Sequence, residues 1–145
     1  RVKMPNQVLF QAVSETVDGS GFFISYAADS SSDGYTMNLT NIGGILNIGG
    51  HFNTSTGVFT APIAGIYELH FGFASRDGAA GRKIGQMYKN GNFVSEVVEL
   101  QAAYGDIGRT IYADLSANDT IQAHTNGTYN FETCSFSGRL IQWVH

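Results

Sequence analysis

Cationic side chains and long apolar runs are both scarce in this chain of 145 residues. It carries 8 Lys and Arg against 12 Asp and Glu, which gives a formal net charge of −4. Because binding to nucleic-acid phosphates requires a dense Lys/Arg surface, this balance argues against nucleic acid as a partner. No apolar stretch approaches the roughly 20 residues needed to cross a bilayer, so we expect no membrane insertion.

Cysteine is nearly absent, and the single Cys134 excludes an internal disulfide bond. Strand alternation would place Cys134 on the same face as Phe136 and Leu140. We therefore expect it to be a small buried hydrophobe. A nucleophilic cysteine or an interchain bridge is the alternative interpretation.

Proline and charge are also low, at 2 residues and 14% of the chain, whereas Gly is abundant at 18 residues. Soluble domains are usually about a quarter charged. No segment shows a sustained helical period with caps. Many Gly, Thr, Ser and Asn beside many Phe and Tyr are typical of a sheet protein with frequent turns. No linker or composition shift divides the chain, so we expect one domain over residues 1–145 with its core at about 8–143.

Short alternating segments separated by turn signals predict an all-β sandwich or barrel. The clearest predicted strand has Tyr67, Leu69, Phe71 and Phe73 on one face. Asn90-Gly91 predicts a type I′ hairpin, which requires positive φ at both positions. Further strands are predicted at residues 8–13, 58–60, 111–115, 121–125 and 131–143, and a loop at residues 29–34.

Residues with catalytic potential are few, and they lack the spacing of known motifs. The four histidines show no metal-ligand spacing, and no HExxH, CxxC or G-x-S-x-G motif is present. Glu68 and His70 lie two apart, on the strand face opposite Tyr67. We expect them to be an exposed or interface pair rather than an acid–base site. The sequence therefore predicts no enzymatic activity.

A set of spaced residues in the middle of the chain carries a family signature: Asn47, Phe52, Phe59, Gly65, Tyr67 and Phe71. With the hairpin at residues 89–91 and the closing residues 135–140, they resemble the C1q globular-head domain, part of the C1q and tumour-necrosis-factor superfamily. Two positions differ from the family signature, because this sequence has Asn41 and Leu69 where Phe is usual. Leu69 still suits a core position.

This resemblance implies a jelly-roll β-sandwich of about ten antiparallel strands that assembles as a homotrimer. It also implies a secreted, extracellular protein, similar in style to invertebrate relatives made of the head alone. Four N-glycosylation motifs agree weakly with secretion, beginning at Asn38, Asn53, Asn118 and Asn126.

Calcium is the one candidate ion, because several C1q relatives bind it near the trimer apex. In this sequence the corresponding loop offers Glu96, Glu99 and Asp106, and the predicted metal ligands are Glu99 and Asp106. Ca²⁺ takes six to eight oxygen ligands. Ordinary solvated carboxylates are the alternative interpretation.

Candidate ligand-binding residues fall in two exposed loops, where recognition residues concentrate. One loop holds Arg76, Asp77, Arg82 and Lys83. The other places the aromatic ring of Tyr104 near charged groups that include Arg109. The alternatives are a solvated hairpin tip and a trimer-interface tyrosine.

We therefore expect a secreted, lectin-like pattern-recognition module of innate immunity that binds microbial or glycan ligands as a homotrimer. A cytokine-like or structural ligand that engages a protein receptor is the alternative function.

Overall fold

The computed structural model describes residues 7–18, 21–22, 46–75, 78, 80–126 and 130–143. This part of the chain contains β-strands and no helix, as the composition predicts. The eleven strands are β1 (Leu9–Asp18), β2 (Gly21–Phe22), β3 (Leu46–Ile48), β4 (Phe52–Asn53), β5 (Val58–Thr60), β6 (Gly65–Ser75), β7 (Lys83–Lys89), β8 (Asn92–Leu100), β9 (Gly105–Leu115), β10 (Thr120–Asn126) and β11 (Asn130–Trp143).

The strands form two antiparallel sheets that face each other across one core. The first sheet has the order β3-β1-β11-β6-β9, and the second has the order β4-β5-β10-β7-β8, with β2 also pairing with β10. Neighbours in each sheet are mostly distant in sequence, which is the connectivity of a jelly roll. The predicted fold class is confirmed, and eleven described strands agree with the predicted number of about ten.

Aromatic rings fill the space between the sheets. The ring of Phe10 stacks on those of Phe52 and Phe59 at centroid distances of 4.7 and 4.8 Å, and it meets the edge of Phe136 at 4.9 Å. Tyr67 is also buried and donates its hydroxyl to the carbonyl of Ile63 at 2.8 Å. Burial raises the pKa of Tyr67. The predicted alternation along β6 is confirmed, since its four named apolar side chains are buried: Tyr67, Leu69, Phe71 and Phe73.

The signature residues Asn47 and Gly65 both lie against the backbone of a neighbouring segment. The Asn47 amide donates to the carbonyl of Phe52 at 2.7 Å and accepts from the Phe52 N–H at 3.2 Å, which closes the turn between β3 and β4. A side chain at Gly65 would collide with the carbonyl of Gln142 on β11. Leu69 is fully buried, as predicted, whereas Asn41 lies outside the described residues.

Two turns set the register of the second sheet. Asn90 and Gly91 have φ angles of 52° and 79°, so the predicted type I′ hairpin between β7 and β8 is confirmed. The turn between β9 and β10 holds Asn118 at φ 71°. Its Asp119 carboxylate accepts from the Ser116 N–H at 2.8 Å and from the Asn90 amide at 2.9 Å, which ties the two turns together.

Cys134 is fully buried in the core, so the prediction of a small buried hydrophobe is confirmed. Its burial in the single chain leaves it unsuited to an interchain bridge. The predicted loop at residues 29–34 lies outside the described residues. Within the described part of the chain, no helix is long and apolar enough to span a membrane.

Candidate functional site

The β6–β7 and β8–β9 connections meet at one end of the sandwich. The Ser75 hydroxyl, at the end of β6, donates to the carbonyl of Ala103 at 2.9 Å. The Gly81 N–H, just before β7, donates to the carbonyl of Gln101 at 3.2 Å. These two bonds join the loops that the sequence singled out separately, so they form one surface.

Tyr104 is the most exposed large aromatic side chain of this surface, at 69%. It lies against the other loop: a Cβ added to Gly78 would be 3.0 Å from the Tyr104 hydroxyl oxygen. Gly78 also has a φ of 75°, so a side chain there would strain the backbone as well. The sequence offered Tyr104 and the cationic loop as two separate candidates, and the structure brings Tyr104 into contact with Gly78 of that loop.

Arg82 lies on the same surface and is held by two carboxylates of β8. Its Nε donates to Glu99 at 2.7 Å, and its Nη2 lies 3.5 Å from Glu96. The hydrogen bond from Arg82 lowers the pKa of Glu99, and the same bond raises the pKa of Arg82. Gln101 adds a second bond to Glu99 at 3.1 Å. The result is an ionised, solvent-exposed network between the residue before β7 and the strand β8.

Lys83 differs from the expectation of an exposed loop cation. It is the first residue of β7, paired in register with Leu100, and its exposed fraction is 0%. The strand begins one residue earlier than the loop-rich sequence suggests, and Lys83 is thereby drawn into the sandwich. Its side chain is not on the accessible surface of the chain, so we remove it from the candidate ligand-binding residues.

Arg109 also lies apart from the loop surface. It sits within β9, opposite Phe71, and its guanidinium reaches the carbonyl of Val97 on β8 at 3.5 Å. A strand rises about 3.3 Å per residue, so five residues separate Arg109 from Tyr104 by about 16 Å. Arg109 bridges the edges of the two sheets. Arg76 and Asp77 lie outside the described residues.

The predicted calcium ligands do not fit a metal site within one chain. Glu99 lies on β8 of the second sheet and is already engaged by Arg82, while Asp106 lies on β9 of the first sheet, paired with Ala74 of β6. The residues that the structure describes contain no group of three or more His, Cys, Asp or Glu side chains placed to hold a metal. Calcium binding by Glu99 and Asp106 stays a prediction that this geometry does not favour.

The solvent face of the first sheet carries ordered rows of side chains. One row crosses all five strands and runs Ile48, Leu9, Arg139, Glu68, Tyr112. Its centre is an ion pair, with Arg139 Nε 3.3 Å from Glu68. Its ends are apolar or aromatic, and Tyr112 is 66% exposed.

The next row on the same face runs Leu46, Gln11, Ser137, His70, Thr110. His70 Nδ1 lies 3.2 Å from the Thr110 hydroxyl. The two rows together are called the open face below. Glu68 and His70 are thus adjacent side chains of an open sheet face, as the strand alternation predicted.

The sequence interpretation missed an aromatic cluster on the outside of the second sheet. The Tyr88 ring meets Phe93 at 6.0 Å and His124 at 4.7 Å, and His124 Nδ1 lies 3.0 Å from the Gln86 side-chain oxygen. Burial lowers the pKa of His124. The hairpin register could have revealed part of it, because a two-residue turn at Asn90-Gly91 places Tyr88 opposite Phe93.

The C1q domain family matches residues 22–141 of this chain. The chain belongs to the C1q domain family. The match includes both loops of the candidate surface and most of the open face, so the resemblance carried by the signature residues is confirmed. No match was found among the curated proteins.

Solved structures of other members of the superfamily are similar to this C1q domain. The globular domain of zebrafish complement 1qA protein has a TM-score of 0.63 at 15% identity, covering 96% of this chain and 100% of that chain. Murine APRIL at pH 5.0 has a TM-score of 0.66 at 9% identity, covering 94% and 100%. At such identities these similarities show the fold alone. They place the C1q domain within the jelly-roll fold shared by both proteins.

Proposed function

We propose that this C1q domain is a secreted, non-enzymatic pattern-recognition module of innate immunity that binds microbial or glycan ligands as a homotrimer. Membership of the C1q domain family supports a recognition module. The observation that carries the ligand assignment is that the exposed ring of Tyr104 and the Arg82 guanidinium belong to two loops joined by hydrogen bonds. Loops positioned by a rigid scaffold are the usual location of binding residues.

The chemistry of this surface suits a sugar. An aromatic ring offers a flat apolar surface to the C–H face of a pyranose and keeps a hydroxyl available for hydrogen bonding. The Arg82 guanidinium and the ionised Glu99 supply charge-assisted donors and acceptors for sugar hydroxyl or acidic groups. A shallow site of this kind binds weakly by itself. Linking several copies raises the overall affinity by about 10²–10⁴-fold when they engage together.

The open face supports the homotrimer. Apolar and aromatic side chains at the ends of its first row flank the Glu68–Arg139 ion pair, and covering them would remove Tyr112 from water. The open face lies on the first sheet, whereas Arg82 belongs to a loop that enters the second sheet. Three copies joined through the open face would therefore leave the ligand surfaces exposed.

A ligand for a protein receptor is the second candidate function. The observation that favours it is the exposure of Tyr104 and Arg82 on the joined loops, because Tyr and Arg are enriched at protein–protein interfaces. A receptor would recognise the same exposed loops or the groove between neighbouring chains. Binding experiments with glycans separate the two functions, since a receptor ligand is expected to give no glycan signal.

The first experiment measures binding of the purified chain to an array of glycans and microbial surfaces, with calcium and with a chelator. We expect selective binding, reduced about tenfold or more by Tyr104→Ala and by Arg82→Ala, which corresponds to about 1.4 kcal/mol. Phe93→Ala is the matched control, because Phe93 is an exposed aromatic residue at the far end of β8.

Absence of binding in both conditions contradicts glycan recognition and favours the receptor ligand. Equal loss in the Phe93→Ala variant contradicts the placement of the site. Loss of binding on chelation supports the calcium prediction. Some of the metal ligands would then come from outside the described residues of one chain.

A further inference from the structure

We propose that Asn53 is the attachment site of an N-linked oligosaccharide, which projects from the edge of the second sheet. This inference rests on the proposed function in one respect, the passage of the chain through a secretory compartment. The motif Asn53-Thr54-Ser55 matches the acceptor sequence. The geometry of the folded chain supplies the argument for this site.

Asn53 ends β4, the short edge strand of the second sheet, and its side chain is exposed. Its Oδ1 accepts hydrogen bonds from the N–H groups of Ser55 at 2.9 Å and Thr56 at 3.2 Å. These bonds orient the amide plane. The Nδ2 donates no hydrogen bond to any residue that the structure describes, so the atom that forms the linkage is the one left to solvent.

The transfer reaction is compatible with this arrangement. The Asn53 Nδ2 attacks C1 of an oligosaccharide carried on a polyprenyl diphosphate. The N–C1 bond forms, the C1–O bond to the diphosphate breaks, and a base of the transferase accepts the Nδ2 proton. No electrons are gained or lost. Because Oδ1 is not consumed, both hydrogen bonds of the turn persist in the product.

A shallow groove of about 480 Å³ lies beside Asn53. Its lining residues are Gly50, His51, Asn53, Thr56, Val58 and Thr60. Small-molecule sites range from about 300 to 1,000 Å³, so the groove has room for the first sugar of an attached glycan. The glycan would also cover the outer edge of β4, which pairs with β5 alone among the described strands and could otherwise pair with another chain.

The position is compatible with both surfaces of the proposed function. Strand β4 is at one edge of the second sheet and β8 is at the other, four strand spacings away. At about 4.8 Å per spacing, this separates Asn53 from the Arg82 network on β8 by about 19 Å across the sheet. The open face belongs to the other sheet. An oligosaccharide at Asn53 would leave the Arg82 network clear, and it would stand one turn away from the β3 end of the open face.

The motif at residues 118–120 is less suited, because its residues are tied to other segments of the chain. The Asn118 N–H donates to the carbonyl of Ala61 at 2.7 Å, and the Thr120 N–H donates to the Asn90 side chain at 2.9 Å. Asp119 forms an ion pair with Lys89 at 3.2 Å. By contrast, the side-chain hydrogen bonds of Asn53 stay within its own turn. The motifs at Asn38 and Asn126 extend outside the described residues.

The test uses the full chain, fused to a signal peptide and produced in a eukaryotic secretory cell line. Intact mass is measured before and after peptide N-glycosidase, and the modified residue is located by peptide mapping in both medium and cells. Ser55→Ala removes the hydroxyl that the transferase requires, but it keeps the N–H that Asn53 accepts. Ser55→Thr restores an acceptor hydroxyl with the same backbone.

We expect a glycan at Asn53 in the wild type and in Ser55→Thr, and its complete loss in Ser55→Ala with an unchanged thermal midpoint. An unmodified Asn53 in secreted protein, or a glycan located at Asn118 instead, overturns the proposal. A chain that carries the glycan at Asn53 but is retained in cells, or that binds no array ligand, contradicts the proposed function and leaves this inference standing.

Discussion

At the scale of single residues, the fold depends most on the ring of Phe10. This side chain joins both sheets, because it stacks on Phe52 and Phe59 of the second sheet and meets Phe136 of the first. Phe10 is 1% exposed, so its replacement leaves a cavity that the surrounding rings fill only in part.

We expect Phe10→Ala to lower the free energy of unfolding by about 3–5 kcal/mol, measured by urea denaturation. Phe93→Ala is the control, since Phe93 is 53% exposed and the loss of its edge contact with Tyr88 should cost no more than about 1.5 kcal/mol. Equal effects of the two substitutions would contradict the position of Phe10 at the centre of the core.

At the scale of elements, the turn between β9 and β10 is joined to the β7–β8 hairpin by Asp119. The hydrogen bond from Asn90, followed by that from the Ser116 N–H, lowers the pKa of the Asp119 carboxyl. A carboxyl whose pKa is lower in the folded state stabilises the fold above its ordinary pKa of 3.8. This stabilisation is lost as the pH falls through that value toward the lower folded-state pKa.

We therefore expect Asp119→Asn to lower the thermal midpoint at neutral pH, and the difference from the wild type to shrink between about pH 5 and pH 3. Asp114→Asn is the control, because Asp114 is an exposed carboxylate on the preceding strand. Thermal unfolding followed by circular dichroism gives both midpoints. A difference between Asp119→Asn and wild type that does not change with pH would contradict the role of the charge.

At the scale of the whole molecule, the proposed trimer depends on the open face. Tyr112 is exposed at one end of its first row and lies opposite Glu68 in register. A carboxylate introduced at Tyr112 would stand beside that of Glu68, and like charges directly opposite each other destabilise a sheet face and any contact made on it.

We expect the wild type to sediment as a trimer at micromolar concentration, and Tyr112→Glu to shift the distribution to monomer while the circular dichroism spectrum stays the same. Phe93→Glu adds the same charge on the second sheet and should leave the trimer intact. A monomeric wild type would overturn the proposed assembly, and a trimeric Tyr112→Glu variant would place the contact elsewhere.

The sequence by itself determined the fold class and most of the strands. Period-two alternation places Tyr67 and Phe71 on one face of β6, and Asn90-Gly91 selects its turn type, because both effects depend on neighbouring residues only. The same is true of Cys134, whose burial follows from its position in β11. These features require no knowledge of which strands meet.

The tertiary structure decided the composition of the candidate site. Lys83 is buried and Arg109 lies in the middle of β9, although both stand close in sequence to exposed loop residues. The partnership of Arg82 with Glu99 depends on two register shifts within the β7–β8 hairpin, which the turn sequence does not reveal, and the contact of Tyr104 with Gly78 depends on two separate loops. Local patterns carry no information on such long-range pairings, because sheet register and loop packing are fixed by the whole core.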